Sequence, residues 1–429
     1  MALNLKDVHA AVEEAARAHL AEQRRPVTKS STATEALDLR LLTDTAAWDA
    51  LAPVWNDAAR RARAFYLGHA WLRGWWNSYG EGELAVAAVF RGDRLVGFAP
   101  CRRQRRWWWG LRVQRVENLF NAHAGRSDFL LEDASHETLA LILDALDREP
   151  WDVMLLREVP ACSTLLAVLP AVAARCGLRV HSRPSLDSPV LTIRGSWEEY
   201  LRGRSRNFRA TLRRKLKALG GAGLPWRVDC LADAAAVHAA LAEVMDLALR
   251  SWSGARGSSI ASPPHRSFYE PMLEALAEQG CLRLWTLRIG GRLAAFNICV
   301  AWGREIALLK TSYDPAFAQL SPGAVLQAQS VEAIFRSGDF DRYDFLGKQD
   351  HYKQRWTEQS EAHMDVFVFN ASPLSRTLEV LEFDVRPRLG ALKRHALALF
   401  GGAQSLIREA QSPAISGEHC RRRREQWTL

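Results

Sequence analysis

The chain has 429 residues, 48% of them hydrophobic and 24% charged, which excludes wholesale disorder and is too long for one ordinary core. The formal charge of +9 is an arginine excess that suits anionic partners, although an Arg- and Ala-rich genome gives the same bias. Seven irregularly spaced cysteines with no CxxC pair argue against a disulfide framework or a zinc site, and no apolar run reaches the ~20 residues of a membrane span.

Residues 1–25 read as an amphipathic helix of mixed charge without the apolar stretch of a secretory signal, so a cytoplasmic protein is expected. The small polar residues 26–36 read as a linker. Helices are expected near 45–61 and 69–80. A hairpin follows at 89–101, "VFRGDRLVGFAPC", and it recurs at 287–299 as "LRIGGRLAAFNIC". The two copies share Gly92/Gly290, Arg94/Arg292, Leu95/Leu293, Phe98/Phe296 and Cys101/Cys299 at a constant offset of 198. A helix and a strand come after each copy, at 135–156 and again at 321–346. The element order therefore predicts a duplicated α/β unit, with the boundary near 180–200 where "RVHSRPSLDSPVLTI" is extended.

Four stretches outside the hairpins carry unusual chemistry. "CRRQRRWWWGLRVQRV" (101–116) alternates Arg and Trp in a strand-loop-strand and suits a glycan or lipid headgroup surface. "YLRGRSRNFRATLRRKLKALGG" (200–221) is a basic helix with an apolar stripe. Its cations are a solvated face or a site for a phosphate-bearing acceptor. "SWSGARGSS" (251–259) is a flexible basic loop. After residue 370 the chain reads as helices broken at Pro387, then a basic tail.

The segment from 304 to 356 holds the candidate site. Its first strand is apolar to Leu309 and then turns polar at Lys310, Ser312, Tyr313 and Asp314. Ser321 is placed to cap the next helix, with Pro322 at its first position, Gly323 leaving its amides open and Gly338 ending it. Such a start suits a phosphate or pyrophosphate, and is also an ordinary well-capped helix. The matching helix of the first half opens Ser135-His136-Glu137, which puts a negative charge where an anion would sit.

The motifs "SWSGARG" (251–257), "YDP" (313–315), "SPG" (321–323) and "YDFLGKQDHYKQRW" (343–356), with the duplication, resemble the GNAT acyltransferase superfamily. Within it the chain is similar to the CelD-like acetyltransferase branch, which is related to the Fem-type tandem transferases. The likeness covers about 45–370, and the first half is the more degenerate.

The resemblance implies an α/β (α+β) fold of two tandem GNAT-like domains, each a mixed, mostly antiparallel sheet flanked by helices. The expected divisions are 1–36, helix and linker; 37–190, a degenerate domain; 191–370, the acyl-CoA-binding catalytic domain; and 371–429, C-terminal helices and tail.

It further implies direct attack of an amine or hydroxyl on acetyl-CoA or another acyl-CoA, with no covalent enzyme intermediate and no metal. Ser321, Pro322, Gly323, Ala324 and Val325 would hold the pyrophosphate, and Lys348 would touch a phosphate. Lys353 would stabilise charge on the reacting carbonyl. Asp344 would hold or deprotonate the amine, or pair with an arginine as structure. Tyr352 or Tyr313 would protonate the leaving thiolate. Trp252, Arg256, Arg209, Asn297 and Trp356 are assigned to the substrate, packing being the rival role of Trp356.

A saccharide or envelope precursor is the expected acceptor, with peripheral contact to an anionic membrane and no specific nucleic acid. Two alternatives stand beside this. One is a Fem-like transferase using aminoacyl-tRNA, although the helical arm of that group is not evident between the halves. The other is a non-catalytic module binding polysaccharide or membrane.

Overall fold

Strand-forming runs of Val, Leu, Ile and Phe alternate with helices along a computed structural model that describes residues 36–132 and 135–389. The expected N-terminal helix at 1–25, nearly all of the linker and the basic tail lie outside these residues. The described residues fall into two units, one ending at Ala371 and one starting at Ser372.

The first half opens with β1 (Leu37–Leu42), α1 (Thr45–Asp49), α2 (Ala52–Arg61) and α3 (His69–Tyr79). The helix expected over 45–61 is thus two, because Asp44 caps α1 and Pro53 restarts the chain as α2. Then come β2 (Glu83–Arg91), β3 (Arg94–Trp108), β4 (Leu111–Asn118), the short β5 (Leu130–Leu131), α4 (Ser135–Asp147), β6 (Val153–Pro160), α5 (Thr164–Arg175) and β7 (Arg179–Thr192). The second half runs α6 (Trp197–Gly203), α7 (Arg206–Gly220), β8 (Trp226–Leu231), α8 (Ala234–Arg250), α9 (Trp252–Ala255), α10 (His265–Glu278), β9 (Leu282–Ile289), β10 (Arg292–Trp302) and β11 (Glu305–Tyr313). It closes with α11 (Pro322–Ser337), β12 (Arg342–Asp344), α12 (His351–Gln354) and β13 (Ser360–Phe369).

The duplication is real at the level of pairing. In the first half β1, β2, β3 and β4 pair antiparallel in sequence, and β4 then pairs parallel with β6. In the second half β8, β9, β10 and β11 do the same, and β11 pairs parallel with β12. Both repeat hairpins form, turning at Gly92 and Gly290, each with φ 57. Cys101 and Cys299 occupy equivalent, fully buried positions. Of the other described cysteines, Cys162, Cys176 and Cys230 are exposed rather than core residues, and all six are free thiols.

The halves are not separate beads. One thirteen-stranded sheet runs β1-β2-β3-β4-β6-β13-β7-β12-β11-β10-β9-β8, with β5 on β3. β13 comes from the second half of the sequence yet lies between β6 and β7. β7 in turn pairs with β12. The division at 190/191 thus cuts through a single contact unit. One hydrophobic core spans both halves, joining Trp55, Trp71 and Trp75 to Phe268, Tyr269 and Phe296. Its burial by large aromatics dominates the energetics of the junction.

In the second unit, α13 (Pro373–Val380) runs into a π-helical turn at Leu381–Val385, and the helix continues from 386 to 389. The expected break at Pro387 is therefore absent. The wide turn just before it relaxes the clash that a proline ring makes with the carbonyl four residues back.

Candidate active site

β11 and β12 pair for only three residues, Glu305–Ala307 against Arg342–Asp344, and then separate. Beyond that point the ladder on the other side of β11 is also irregular, because Ile298 faces Lys310 and Cys299 faces Leu308, leaving Leu309 as a bulge. A cleft of about 270 Å³ opens where the strands part. Leu308–Thr311 line one wall and Phe345, Leu346 and Gly347 the other. Asp350, Tyr352, Lys353 and Trp252 close one side, and Trp71, Ala122–Gly125 and Tyr269 close the other. The cleft thus lies between the two halves.

Of the residues expected from sequence, Lys353, Tyr352 and Trp252 meet here. Asp350 caps α12 through the amides of Tyr352 and Lys353, each 3.1 Å from its Oδ1. That cap turns Lys353 inward. Its Nζ donates to the carbonyls of Leu346 (2.6 Å) and Lys348 (3.1 Å), and Asp350 Oδ2 lies 4.0 Å away. An ammonium has three protons, so one remains for the cleft. Burial lowers the Lys353 pKa, opposed by Asp350 and Asp344. Trp252 is 51% exposed at the lip, with the Arg256 guanidinium 5.4 Å over its ring.

The helix start is half as expected. Pro322 is the first residue of α11 and Gly338 ends it at φ 68. Ser321, however, sits in the left-handed region at φ 51 and makes no side-chain cap. Its carbonyl instead receives the amides of Ala324 and Val325, both at 3.1 Å. Val325 is buried, while Gly323 and Ala324 are half-buried. A methyl at Gly323 would touch only the Tyr313 ring, at 3.5 Å, so Tyr313 flanks the helix start. Residues 321–325, Tyr313 and the exposed Lys348 are not among the cleft's lining residues.

Four further residues sit elsewhere. Asp344 is 2% exposed and bound to Arg126 Nη2 at 2.6 Å and Arg342 Nη2 at 3.4 Å, with the Leu346 amide at 2.8 Å. Burial would raise its pKa, but Arg126 and Arg342 outweigh that and hold it below the ordinary carboxylate range. A carboxylate so tied is a poor base, and it matches the structural pairing rather than amine deprotonation. Asn297 is fully buried beneath α11, donating to Gln327 and Ser330, so it does not face substrate. Trp356 is buried edge-on to Phe208, 5.1 Å between centroids, which is packing. Arg209 lies on α7 and donates to the Arg202 carbonyl at 3.1 Å, outside the cleft lining.

Of the cleft's remaining polar groups, the sequence marked Lys310 only as the start of the strand's polar end, without a role, and did not point to His123, His265 or Tyr79. Lys310 carries its Nζ 5.4 Å from the centroid of the Tyr269 ring. Burial, then Lys353, push its pKa down to about 8. The His123 ring stacks on His265 with centroids 3.8 Å apart; His123 Nδ1 is 3.2 Å from Tyr269 Oη, and Tyr79 Oη is 2.9 Å from His265 Nδ1. Burial first, then Lys310, bring His123 down to about 3, so this pair is neutral at pH 7. Among the described residues no cluster of His, Cys, Asp or Glu could hold a metal, and no helix is long and apolar enough to cross a membrane.

Residues 206–354 match the family model described as Acetyltransferase (GNAT) domain. No curated protein matches the chain. Among solved structures, the C-terminal domain of a candidate lysylphosphatidylglycerol synthetase from Agrobacterium fabrum aligns at 12% identity and TM-score 0.49, over 78% of this chain and 97% of that one. FemX aligns at 13% and TM-score 0.46, over 69% and 90%. A tandem GNAT protein from the clavulanic acid biosynthesis pathway aligns at 13% and TM-score 0.40, over 79% and 99%. Residues 206–354 thus match a GNAT acetyltransferase domain, which supports an acyltransferase over the non-catalytic alternative.

Proposed function

We propose that the protein transfers an acyl group from acyl-CoA to an amine or hydroxyl of a saccharide-type acceptor, in the manner of the CelD-like branch. The carrying observation is the parting of β11 from β12 after three paired residues, which opens a cleft that would take the thioester arm. The Gly323 amide, beside Ser321, Pro322, Ala324 and Val325, is the proposed pyrophosphate seat, and Lys348 is proposed to touch a phosphate. No acidic side chain stands in that first turn, whereas Glu137 occupies the equivalent turn of α4. Lys353 stabilises charge on the reacting carbonyl through its remaining proton. Tyr352 protonates the sulfur, and Tyr313 steadies the helix start. Trp252 and Arg256 form a platform for a sugar ring, and Arg209 meets an acceptor phosphate.

Exposed Trp107 and Trp109, next to Arg105 and Arg112 on the β3–β4 hairpin, support a peripheral contact of this cytoplasmic enzyme with an anionic membrane.

Calorimetry with acetyl-CoA, longer acyl-CoAs and free CoA tests the donor. A Cβ at Gly323 makes only ordinary contact with Tyr313, at 3.5 Å, and Gly323→Asp puts a carboxylate beside the helix start. It should reduce CoA affinity at least 100-fold while leaving the melting temperature nearly unchanged. Equal affinity in the variant, or transfer from charged tRNA in place of acyl-CoA, overturns the donor.

A further inference from the structure

We propose that Lys310 is the general base of the transfer, which deepens the acyl-CoA reading and rests on it. Two lysines face this cleft from opposite walls, and the structure treats them differently. Lys353 is tied to two backbone carbonyls and lies near Asp350. Lys310, among the described residues, has no carboxylate or carbonyl partner and rests only on the face of Tyr269. It sits beside the Leu309 bulge, at the depth where β11 and the segment after β12 have separated.

The groups around Lys310 explain its state. Lys353 repels a second charge from across the cleft. Tyr269 offers a ring and turns its hydroxyl to His123. His123 and His265 stack as a neutral pair, with Tyr79 behind them. Asp350 is on the lining, but its Oδ1 accepts the amides of Tyr352 and Lys353. Nothing anionic is aimed at Lys310, and burial favours the free amine, which is the form a base needs.

The chemistry balances without a co-reactant. As the acceptor's lone pair bonds to the thioester carbon, its N–H or O–H proton passes to Lys310 Nζ. The C–S bond then breaks, sulfur leaves with the bonding pair and takes a proton from Tyr352, and the Lys310 ammonium restores that proton to the tyrosinate. The products are acylated acceptor and CoA thiol, and Lys310 is neutral again.

Competitive labelling with isotopic acetic anhydride from pH 6 to 11, read lysine by lysine by mass spectrometry, tests the state and the place of the amine. Lys310 should be half-labelled near pH 8, well below exposed lysines, and saturating acetyl-CoA should suppress its labelling at least 10-fold. Lys310→Met should bind acetyl-CoA within about 3-fold of wild type. Its thiol release with glucosamine as probe acceptor should fall at least 100-fold and lose the rise through pH 8. A midpoint above pH 10, labelling indifferent to bound acetyl-CoA, or stoichiometric acetylation of Lys310 by acetyl-CoA itself overturns the base. Wild type that binds no acetyl-CoA overturns the donor reading instead.

Discussion

Lys353 and Lys310 carry the same side chain to the same cleft, and their neighbours give them opposite chemistry. Lys353→Ala should leave acetyl-CoA binding almost unchanged and cut turnover at least 100-fold, a split between Kd and kcat that calorimetry and thiol release together reveal. Asp344 shows a third outcome at this scale. Its buried pair with Arg126 joins residues 218 apart in sequence. Asp344→Asn leaves Glu361, at 3.9 Å, as the remaining carboxylate near Arg126 and should cost roughly 3 kcal/mol by urea denaturation. Because the folded pKa lies below the unfolded value of about 3.9, Asp344 stabilises the protein above that value and ceases to as pH falls through the folded one. Asp128 has the opposite sign. Burial pushes it up to about 7, against hydrogen bonds from Ser163 and the Phe129 amide. Its ionisation therefore removes stability as pH rises from about 4 to 7. Asp128→Asn should be more stable than wild type at pH 8, by on the order of 1–3 kcal/mol, and equal to it near pH 4.

At the scale of elements, the two copies of one motif have diverged in how closely a helix sits on its sheet. Position 97 of β3 corresponds to position 295 of β10 by the repeat offset, and they hold Gly and Ala. A Cβ on Gly97 would come within 2.3 Å of the Thr138 methyl on α4 and 3.2 Å of the Leu130 carbonyl. Gly97→Ala should push α4 off the sheet and destabilise by about 1–3 kcal/mol, seen as a lower urea midpoint with an unchanged slope. The hairpins, the α11 boundaries and the Gly338 stop were legible because turn glycines, caps and periodicity are local signals. The left-handed Ser321 was not. The preceding 3₁₀ turn, Pro315–Leu320, delivers the chain to Pro322 in that conformation, and a serine at a helix start gives no hint of it. Asn297 and Trp356 were misplaced for a related reason: a polar or aromatic residue on a strand or turn reads the same whether it faces a cleft or a neighbouring helix.

Across the whole molecule, β13 decides the architecture. It pairs with β6 on one side and β7 on the other, so the last described strand completes the first half's sheet. A fragment of residues 37–190 would keep β6 and β7 but leave an open slot between them, with two unpaired edges. It should be insoluble or aggregate when expressed alone. Residues 36–371 should unfold in one transition, coincident by circular dichroism and tryptophan fluorescence; two separated transitions would show the halves to be independent. The amino-acid sequence by itself determined the repeated element order, the hairpins and the boundaries of α11, since each rests on spacing within a few residues. The tertiary structure alone decided that the halves interleave, that Asp344 is bound to Arg126, and that Lys310, unlike Lys353, has no hydrogen-bond partner among the described residues. Those outcomes depend on desolvation and on charges brought together from distant parts of the chain, and no local pattern encodes them.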